Sequence, residues 1–444
     1  MNDIKEKIAD YINQHKSNLL YDIDHRSIEQ SVMGLINGNK AAGNILNIDD
    51  TTIKERVYKE IGQQETKQAL QIKEEGVVVY SQNSFVVSPR PAVYHDNGTT
   101  QPPQQQERLQ INSFDVRILS KYNLIFRECE FNAKLLAHYD FKCHSATFKN
   151  CIFKKRVDFS NAKFCNDVYF NNSHFKGYAD FHECEFEKTA CFYGATFEKS
   201  PNFSQAIFKE NLNFVNVKCD FDFENLKESI KQAKEKEQDS KKTLDKFAND
   251  FRDSFRLIKN ALIKDNNLLD ASNFHKYELY CKEIELDSKN PKIFSKDWID
   301  KIQLCFYRKL CNHHTDLILN LKWLVITIGL FTILFFASKI IQGKEILNLN
   351  HYGIALSASS CIMIVLLCLF DYLKLLGGFA YLNLVATLWL VCYNPKLIFG
   401  VVNILGDSCF NSFENIVMVT YTIMMFLVVF SLQKTARKNS IIPH

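Results

Sequence analysis

The sequence lacks the local signatures on which familiar enzyme chemistry rests. It has no G-x-x-x-x-G-K-[ST] loop for phosphates, no H-E-x-x-H zinc helix, no G-x-S-x-G elbow and no dinucleotide fingerprint, so none of those chemistries has a motif to stand on. The fourteen cysteines include no C-x-x-C pair. A scattered set argues for a reducing compartment and against a disulfide framework. Charge of one sign is also missing, with a net of only +4, which demands no nucleic-acid partner. The opening Met1-Asn2-Asp3-Ile4-Lys5-Glu6-Lys7 has no apolar segment of the secretory type. Proline is scarce, and four of its eight residues fall at 89, 91, 102 and 103; with Gln104-Gln105-Gln106 they read as a linker. Cys311 with His313 and His314 comes nearest to a metal set, yet no second spaced pair accompanies it. No catalytic residue, cofactor site or metal site is expected.

Phenylalanine, by contrast, is abundant and in one stretch periodic. Phe148, Phe153, Phe159, Phe164, Phe170, Phe175, Phe181, Phe186, Phe192, Phe197, Phe203, Phe208 and Phe214 follow at alternating steps of five and six. Two residues before each stands a small or apolar one, from Ala146 and Cys151 to Ala206 and Leu212. Neither a helix nor a persistent strand alternation repeats in this way. Stacked coils do, because each side of a coil is a short extended segment with two inward side chains and a corner. The thirteen Phe are predicted to fill a solenoid core, with two elevens making about 22 residues per four-sided coil. Cys129, Cys151 and Cys184 occupy inner small positions, where a free thiol behaves as a small hydrophobe.

The unit is plain in Ala195-Thr196-Phe197 and Ala206-Ile207-Phe208. It resembles the pentapeptide-repeat family, and the resemblance implies a right-handed quadrilateral β-helix with the Phe and the residue two before it turned inward. The alternating extra residue departs from a strict five-residue period. Some soluble proteins of that family mimic DNA and inhibit gyrase through an acidic face. Residues 124–223 carry thirteen Lys and Arg against thirteen Asp and Glu, and that balance argues against such a role.

The expected organisation is multi-domain. Residues 1–100 form a small, mostly helical region, with a hairpin from Gly76–Tyr80 and Phe85–Val87. Residues 101–123 carry the Pro/Gln linker and the approach to the solenoid, which spans 124–223 in four to five coils. Its irregular start is read with inner pairs Cys129-x-Phe131, Ala133-x-Leu135 and Tyr139-x-Phe141. Charged and amphipathic helices follow over 224–312. Residues 224–246 read as a solvated helix. Phe247, Phe251, Phe255, Ile258 and Leu262 make a buried stripe, broken at Asp265-Asn266-Asn267, before a second with Ala271, Phe274, Tyr277, Cys281 and Ile284. This segment, from Phe255-Arg256-Leu257-Ile258-Lys259 to Glu278-Leu279, resembles the piece joining repeats to membrane helices in bacterial pentapeptide-repeat membrane proteins. A basic amphipathic helix with Trp298, Ile302, Phe306 and Leu310 is expected on an anionic inner leaflet.

A four-helix transmembrane domain is expected over 313–438, with spans at about 322–341, 353–373, 377–394 and 413–432, each reaching or approaching the roughly 20 residues that cross a bilayer. Pro395 to Leu405 is too short to span alone. Lys296, Lys301, Arg308, Lys309 and Lys322 precede the first span, and Lys434, Arg437 and Lys438 follow the last. Both termini and the solenoid are therefore placed in the cytoplasm. Asn383 and Thr387, one turn apart, and Gly353 and Ser357, four apart, are candidates for helix packing or for lining a pore. Met418 to Ile423 lacks both glycines of a potassium filter.

The function expected from these features is a non-enzymatic scaffold for cytoplasmic protein interactions, anchored in a bacterial inner membrane. Its partners would be the lipid membrane, an unnamed cytoplasmic protein and, in an oligomer, a second copy; nucleic acid is not among them. The alternative is an ion channel or channel-like protein regulated by a cytoplasmic solenoid.

Overall fold

A computed structural model describes residues 2–41, 50–72, 76–89, 107–137, 141–236, 242–342, 351–369, 374–393, 395–399 and 411–437. They belong to two compact units, Met1–Lys289 and Asn290–His444.

The first unit opens with α1 (Asn2–His15), α2 (His25–Ala41) and α3 (Asp50–Leu70). Apolar residues at helical spacing bring them together, burying Ile8, Ile12, Ile28, Val32, Ile53 and Val57 in one cluster. The strands Gly76–Ser81 and Ser84–Pro89 pair antiparallel. Gln82 and Asn83 between them both have positive φ, as a two-residue turn matching strand twist requires. This hairpin packs on α3, where Tyr58 meets Tyr80 and Phe85, and it also joins the coil. Its second strand pairs in parallel with Leu124–Arg127, setting Phe85 beside Leu124, and Leu109–Ile111 pairs with Cys129–Phe131. Strand stacking thus begins ahead of residue 124. The linker read from the prolines falls mainly on 90–106, outside the described residues.

Beyond the hairpin, short strands wind into four parallel sheets in about five turns; one sheet stacks Leu124–Arg127, Ala146–Lys149, Val168–Tyr169, Ala190–Cys191 and Leu212–Asn213. The repeat is 22 residues, with Phe164 beside Phe186, Val168 beside Ala190 and His174 beside Thr196. The first coils are shorter. Lys142 stands beside Lys163, 21 residues on, and Leu109 beside Cys129, 20 on. Two expected inner pairs are corrected: Leu135 stacks on Val157 and takes a small-residue position, with Ala133 only half-buried, and Cys143 stacks beside Phe164 in the ring position, with Phe141 half-buried two residues before it. Tyr139 lies outside the described residues.

Two kinds of corner explain the alternating steps. Asn150, Asn161, Asn172, Glu183, Gly194, Gln205 and Asn216, every eleventh residue, all have φ between 53° and 67°. At these tight corners the amide after the left-handed residue returns to the Phe carbonyl, as from Ala162 to Phe159 and from Ala195 to Phe192 at 2.9 Å, the bond of a type II turn. The corner with the extra residue brings coils close together. A Cβ on Gly177 would lie 2.1 Å from the Lys155 carbonyl oxygen.

Inside, the rings form four columns. Phe126, Phe148, Phe170, Phe192 and Phe214 stack at centroid separations of 4.9–5.1 Å, close to the strand spacing. Phe131, Phe153, Phe175 and Phe197 make the second column, Phe159, Phe181 and Phe203 the third, and Phe164, Phe186 and Phe208 the fourth. Adjacent columns meet edge to face, as Phe148 meets Phe153 at 5.4 Å, an arrangement favoured by the ring quadrupole. Twelve of the thirteen periodic Phe are buried; Phe208, ending its column, is half-buried.

Three helices close the far end: α4 (Phe223–Lys236), α5 (Leu244–Lys264) and α6 (Leu268–Lys289). The solvated-helix reading of 224–246 is corrected here. Leu226 and Ile230 on α4 are buried in the same cluster as the Phe columns, because two apolar residues four apart suffice to give a charged helix one dry face. The stripes of α5 and α6 are buried, and the chain reverses between them with Asn266 at φ 56°. These helices also satisfy the last coil's amides. Phe203 N donates to Ser254 Oγ at 2.8 Å and Gln205 N to Asp253 Oδ2 at 3.2 Å, where earlier coils use the next coil's carbonyls. An open strand edge is thereby blunted.

The second unit contains α7 (Lys296–Cys311), α8 (Leu317–Ile341), α9 (His351–Leu369), α10 (Leu375–Tyr393) and α11 (Ser412–Arg437). Ser295 and Asp316 cap α7 and α8 by accepting from Trp298 N and Leu319 N. Of the four expected spans, α8 and α11 are long and apolar enough to cross a membrane; α9 and α10 are apolar over the shorter Ala355–Leu369 and Leu375–Val391. Pro395–Ile398 is a single 3₁₀ turn, and 400–410 lie outside the described residues.

Candidate interaction faces and a cavity beside the coil

The inward residues set the spacing of what points outward. On the sheet that stacks Lys163–Phe164 on Glu185–Phe186 and Ile207–Phe208, the outer row is a charge ladder. Lys163 Nζ lies 2.6 Å from Glu187 and 3.3 Å from Glu185, and Lys209 reaches the same two carboxylates. Each glutamate is held below its usual pKa by a lysine, Lys209 for Glu185 and Lys163 for Glu187, and the lysines are raised in turn. Exposed pairs contribute little to stability. The ladder is better understood as a fixed pattern of alternating sign.

A second sheet face is covered by α4 and α5, and a cavity of about 90 Å³ lies between them. Asp158, Asp180 and Asn202 occupy one position in successive coils. Each side chain accepts from the amide two residues on, a turn that suits Asp and Asn. The Arg156 guanidinium sits 2.7 Å from Asp158 and 3.4 Å from Asp180, above the Tyr178 ring. Burial, and then the neighbouring charge of Asp158, pushes the Asp180 carboxyl up to about 6. Across the cavity Lys242 pairs with Asp250 and lies over the Phe247 ring. Ser200 is 1% exposed, and its hydroxyl meets no hydrogen-bond partner among the described residues; nor does Arg156 Nε.

In the second unit, Asn383 on α10 is buried against Gly329 of α8. A Cβ on Gly329 would come within 2.5 Å of the Asn383 Cβ and Oδ1, so glycine is what permits the close approach. Asn383 Nδ2 and Thr387 Oγ1 both bond to carbonyls one turn back on their own helix, Phe379 and Asn383. Ser357 on α9 accepts from Trp389 Nε1 at 2.9 Å, and Gly353 lies in the first turn of that helix. Met418 to Ile423 fall within the continuous α11. Cys311 Sγ is 3.5 Å from His314 Nδ1, but no set of three or more potential ligands that could hold a metal occurs among the described residues.

Two arrangements escaped sequence reasoning. Glu414, at the start of the span expected over 413–432, is in the first turn of α11 and buried. It pairs with Lys339 at 3.0 Å and accepts from Gln342 and Ser338. The cavity groups were missed as well. Asp158 and Asp180, one coil length apart, were a visible signal that two carboxylates would stack. Nothing local indicated that helices would cover them.

Among protein-family models, pentapeptide repeats (9 copies) match residues 142–185 and 181–225, so this segment is a pentapeptide-repeat β-solenoid. No curated protein and no solved structure matches the chain.

Proposed function

We propose that this pentapeptide-repeat chain is a non-enzymatic protein-interaction scaffold anchored in a bacterial inner membrane, with a right-handed solenoid and both termini in the cytoplasm. The observation that carries the scaffold reading is a rigid interior joined to a patterned exterior. Stacked Phe rings hold the coils at constant spacing, and Lys163, Glu185, Glu187 and Lys209 alternate in sign over them. A partner of opposite pattern would meet a surface already ordered, which lowers the cost of association and rejects mismatched partners.

Burial supports the anchoring. The most apolar windows of α8 and α11 are only 39% and 22% buried, and Leu330, Ile333, Leu334, Ile416, Ile423 and Phe430 face outward. Soluble monomers rarely expose contiguous apolar patches of this kind. The 19 residues each of α9 and α10 extend about 28 Å, close to the hydrocarbon thickness, so all four helices are read as spans. The excess of Lys and Arg before α8 and at the end of α11 favours cytoplasmic termini. On α7, exposed Ile299 and Ile302 beside Lys301 suit an anionic lipid surface.

Photocrosslinkers placed at Lys163 and Lys209 in intact cells should give a discrete protein adduct that is lost on charge reversal of Glu185 and Glu187. Absence of an adduct from any solenoid face would remove the scaffold reading.

A channel reading draws on one observation: Asn383 Oδ1 is buried and lacks a hydrogen-bond partner among the described residues. Its close contact with Gly329 favours helix packing instead. Protein reconstituted in planar bilayers should therefore show no conductance; an ion current abolished by Asn383→Ala would reverse the preference.

A further inference from the structure

The cavity between the coil and α4–α5 has features of a ligand site, and the case for it does not depend on the scaffold reading. A space of about 90 Å³, lined by polar and aromatic side chains alike, holds a few waters or one small organic molecule. At its inner wall Asp180 is 4% exposed. Its Oδ1 accepts from the His182 amide, whereas among the described residues Oδ2 has only a long 3.4 Å contact with Arg156. Ser200 Oγ, on the same wall, is buried without a partner among the described residues. Buried polar atoms left in this condition are costly and uncommon, and a ligand supplying donors would satisfy both.

Charge narrows the class of ligand. Arg156 is shared between Asp158 and Asp180, and His182, 4.0 Å from Asp180, has Glu183 at 3.7 Å on its other side, so one carboxylate charge remains in excess on that wall. Lys242 and Asp250 cancel opposite it. Lys199 also lines the cavity; it is exposed and forms no ion pair among the described residues. The lining therefore offers a buried acceptor and a cation open to solvent. The Tyr178 and Phe247 rings already carry Arg156 and Lys242, so recognition falls to hydrogen bonds rather than to aromatic faces. An ammonium brings three donors and suits a carboxylate beside a hydroxyl.

We propose that this cavity binds a small zwitterion of the α-amino-acid class, its ammonium on Asp180 and Ser200 and its carboxylate toward Lys199.

Calorimetric titration of the full-length protein with L-alanine, and with ethylamine and propionate as single-charge analogues, tests this. Alanine should bind, and each analogue should be weaker by about tenfold or more, the loss of one charged contact. Ser200→Ala and Lys199→Gln should each weaken alanine binding about tenfold. Neither should lower the melting temperature, since one removes an unpartnered hydroxyl and the other is a surface change. No binding up to about 10 mM alanine, where even millimolar affinity would register, would mean a water-filled cavity and overturn the proposal. Equal binding of ethylamine or propionate, or alanine binding undiminished in both variants, would overturn it too.

Discussion

At the scale of single residues, the aromatic columns and the tight backbone approaches carry the sharpest expectations. Phe186 lies between Phe164 and Phe208 at 4.7 and 4.6 Å, with its ring almost parallel to both. Phe186→Ala should leave a void that coils of fixed spacing cannot collapse, costing about 3–5 kcal/mol; chemical denaturation would measure it. Gly177→Ala should cost about 1–3 kcal/mol, because the added methyl would meet the Lys155 carbonyl, backbone of the coil below. Unchanged stability in that variant would show that the coils can separate there. Asp115 offers a test by pH. The Arg117 guanidinium, helped by the Tyr21 hydroxyl at 2.5 Å, holds its carboxyl down to about 2 from a usual 3.8. A carboxylate with a lowered folded-state value adds stability above about pH 4, and that stability is lost as pH falls through 2. The stability difference between wild type and Asp115→Asn should therefore be present at neutral pH and shrink below about 4. A difference constant with pH would show that the contact with Tyr21 and Arg117 contributes nothing.

At the scale of elements, a helix is anchored at each end of the solenoid, by side chains at the start and on unpaired backbone at the finish. Near the start, buried Glu65 of α3 accepts from Tyr122 Oη and Lys121 Nζ, each at 2.5 Å, and from Leu20 N. At the finish, Ser254 and Asp253 of α5 take two amides of the last coil. Ser254→Ala should cost about 1–3 kcal/mol by orphaning Phe203 N. Hydrogen exchange should then quicken at Phe203 before it does in the central coils, and uniform exchange along the stack would refute the capping role. Legibility followed the same division. The Phe period was open to reading because a stack repeats its register in the chain. The first coil was misread by two residues at Leu135, although Leu135 and Val157 keep the 22-residue step, because Ala137 stands where later coils carry Phe159 and Phe181. Past that point, from Lys142, a 21-residue step breaks the period. The buried side of α4 was hidden by composition, with Leu226 and Ile230 outnumbered by Lys and Glu.

At the scale of the whole molecule, apolar surface separates the two units. Residues 1–289 bury their Phe columns and cap both ends of the coil, whereas 290–444 display leucine, isoleucine and phenylalanine outward. Residues 1–289 expressed alone should be soluble and melt cooperatively, as judged by circular dichroism. Aggregation of that piece would show that its core needs the second unit. Full-length chain should stay in the membrane pellet after alkaline carbonate washing, and its release would contradict the reading of the apolar helices as spans.

The amino-acid order by itself determined the circumference of the coil and what fills it, because a linear stack writes its period directly into the chain. It also marked the apolar segments after 320, where hydropathy is a local property. Only the tertiary structure decided that α4 and α5 cover one sheet face, that Asp180 and Ser200 share a cavity with residues some fifty positions later, and that Glu414 meets Lys339. Those contacts depend on which surfaces remain unpaired once the coils are complete, and no short-range spacing records that.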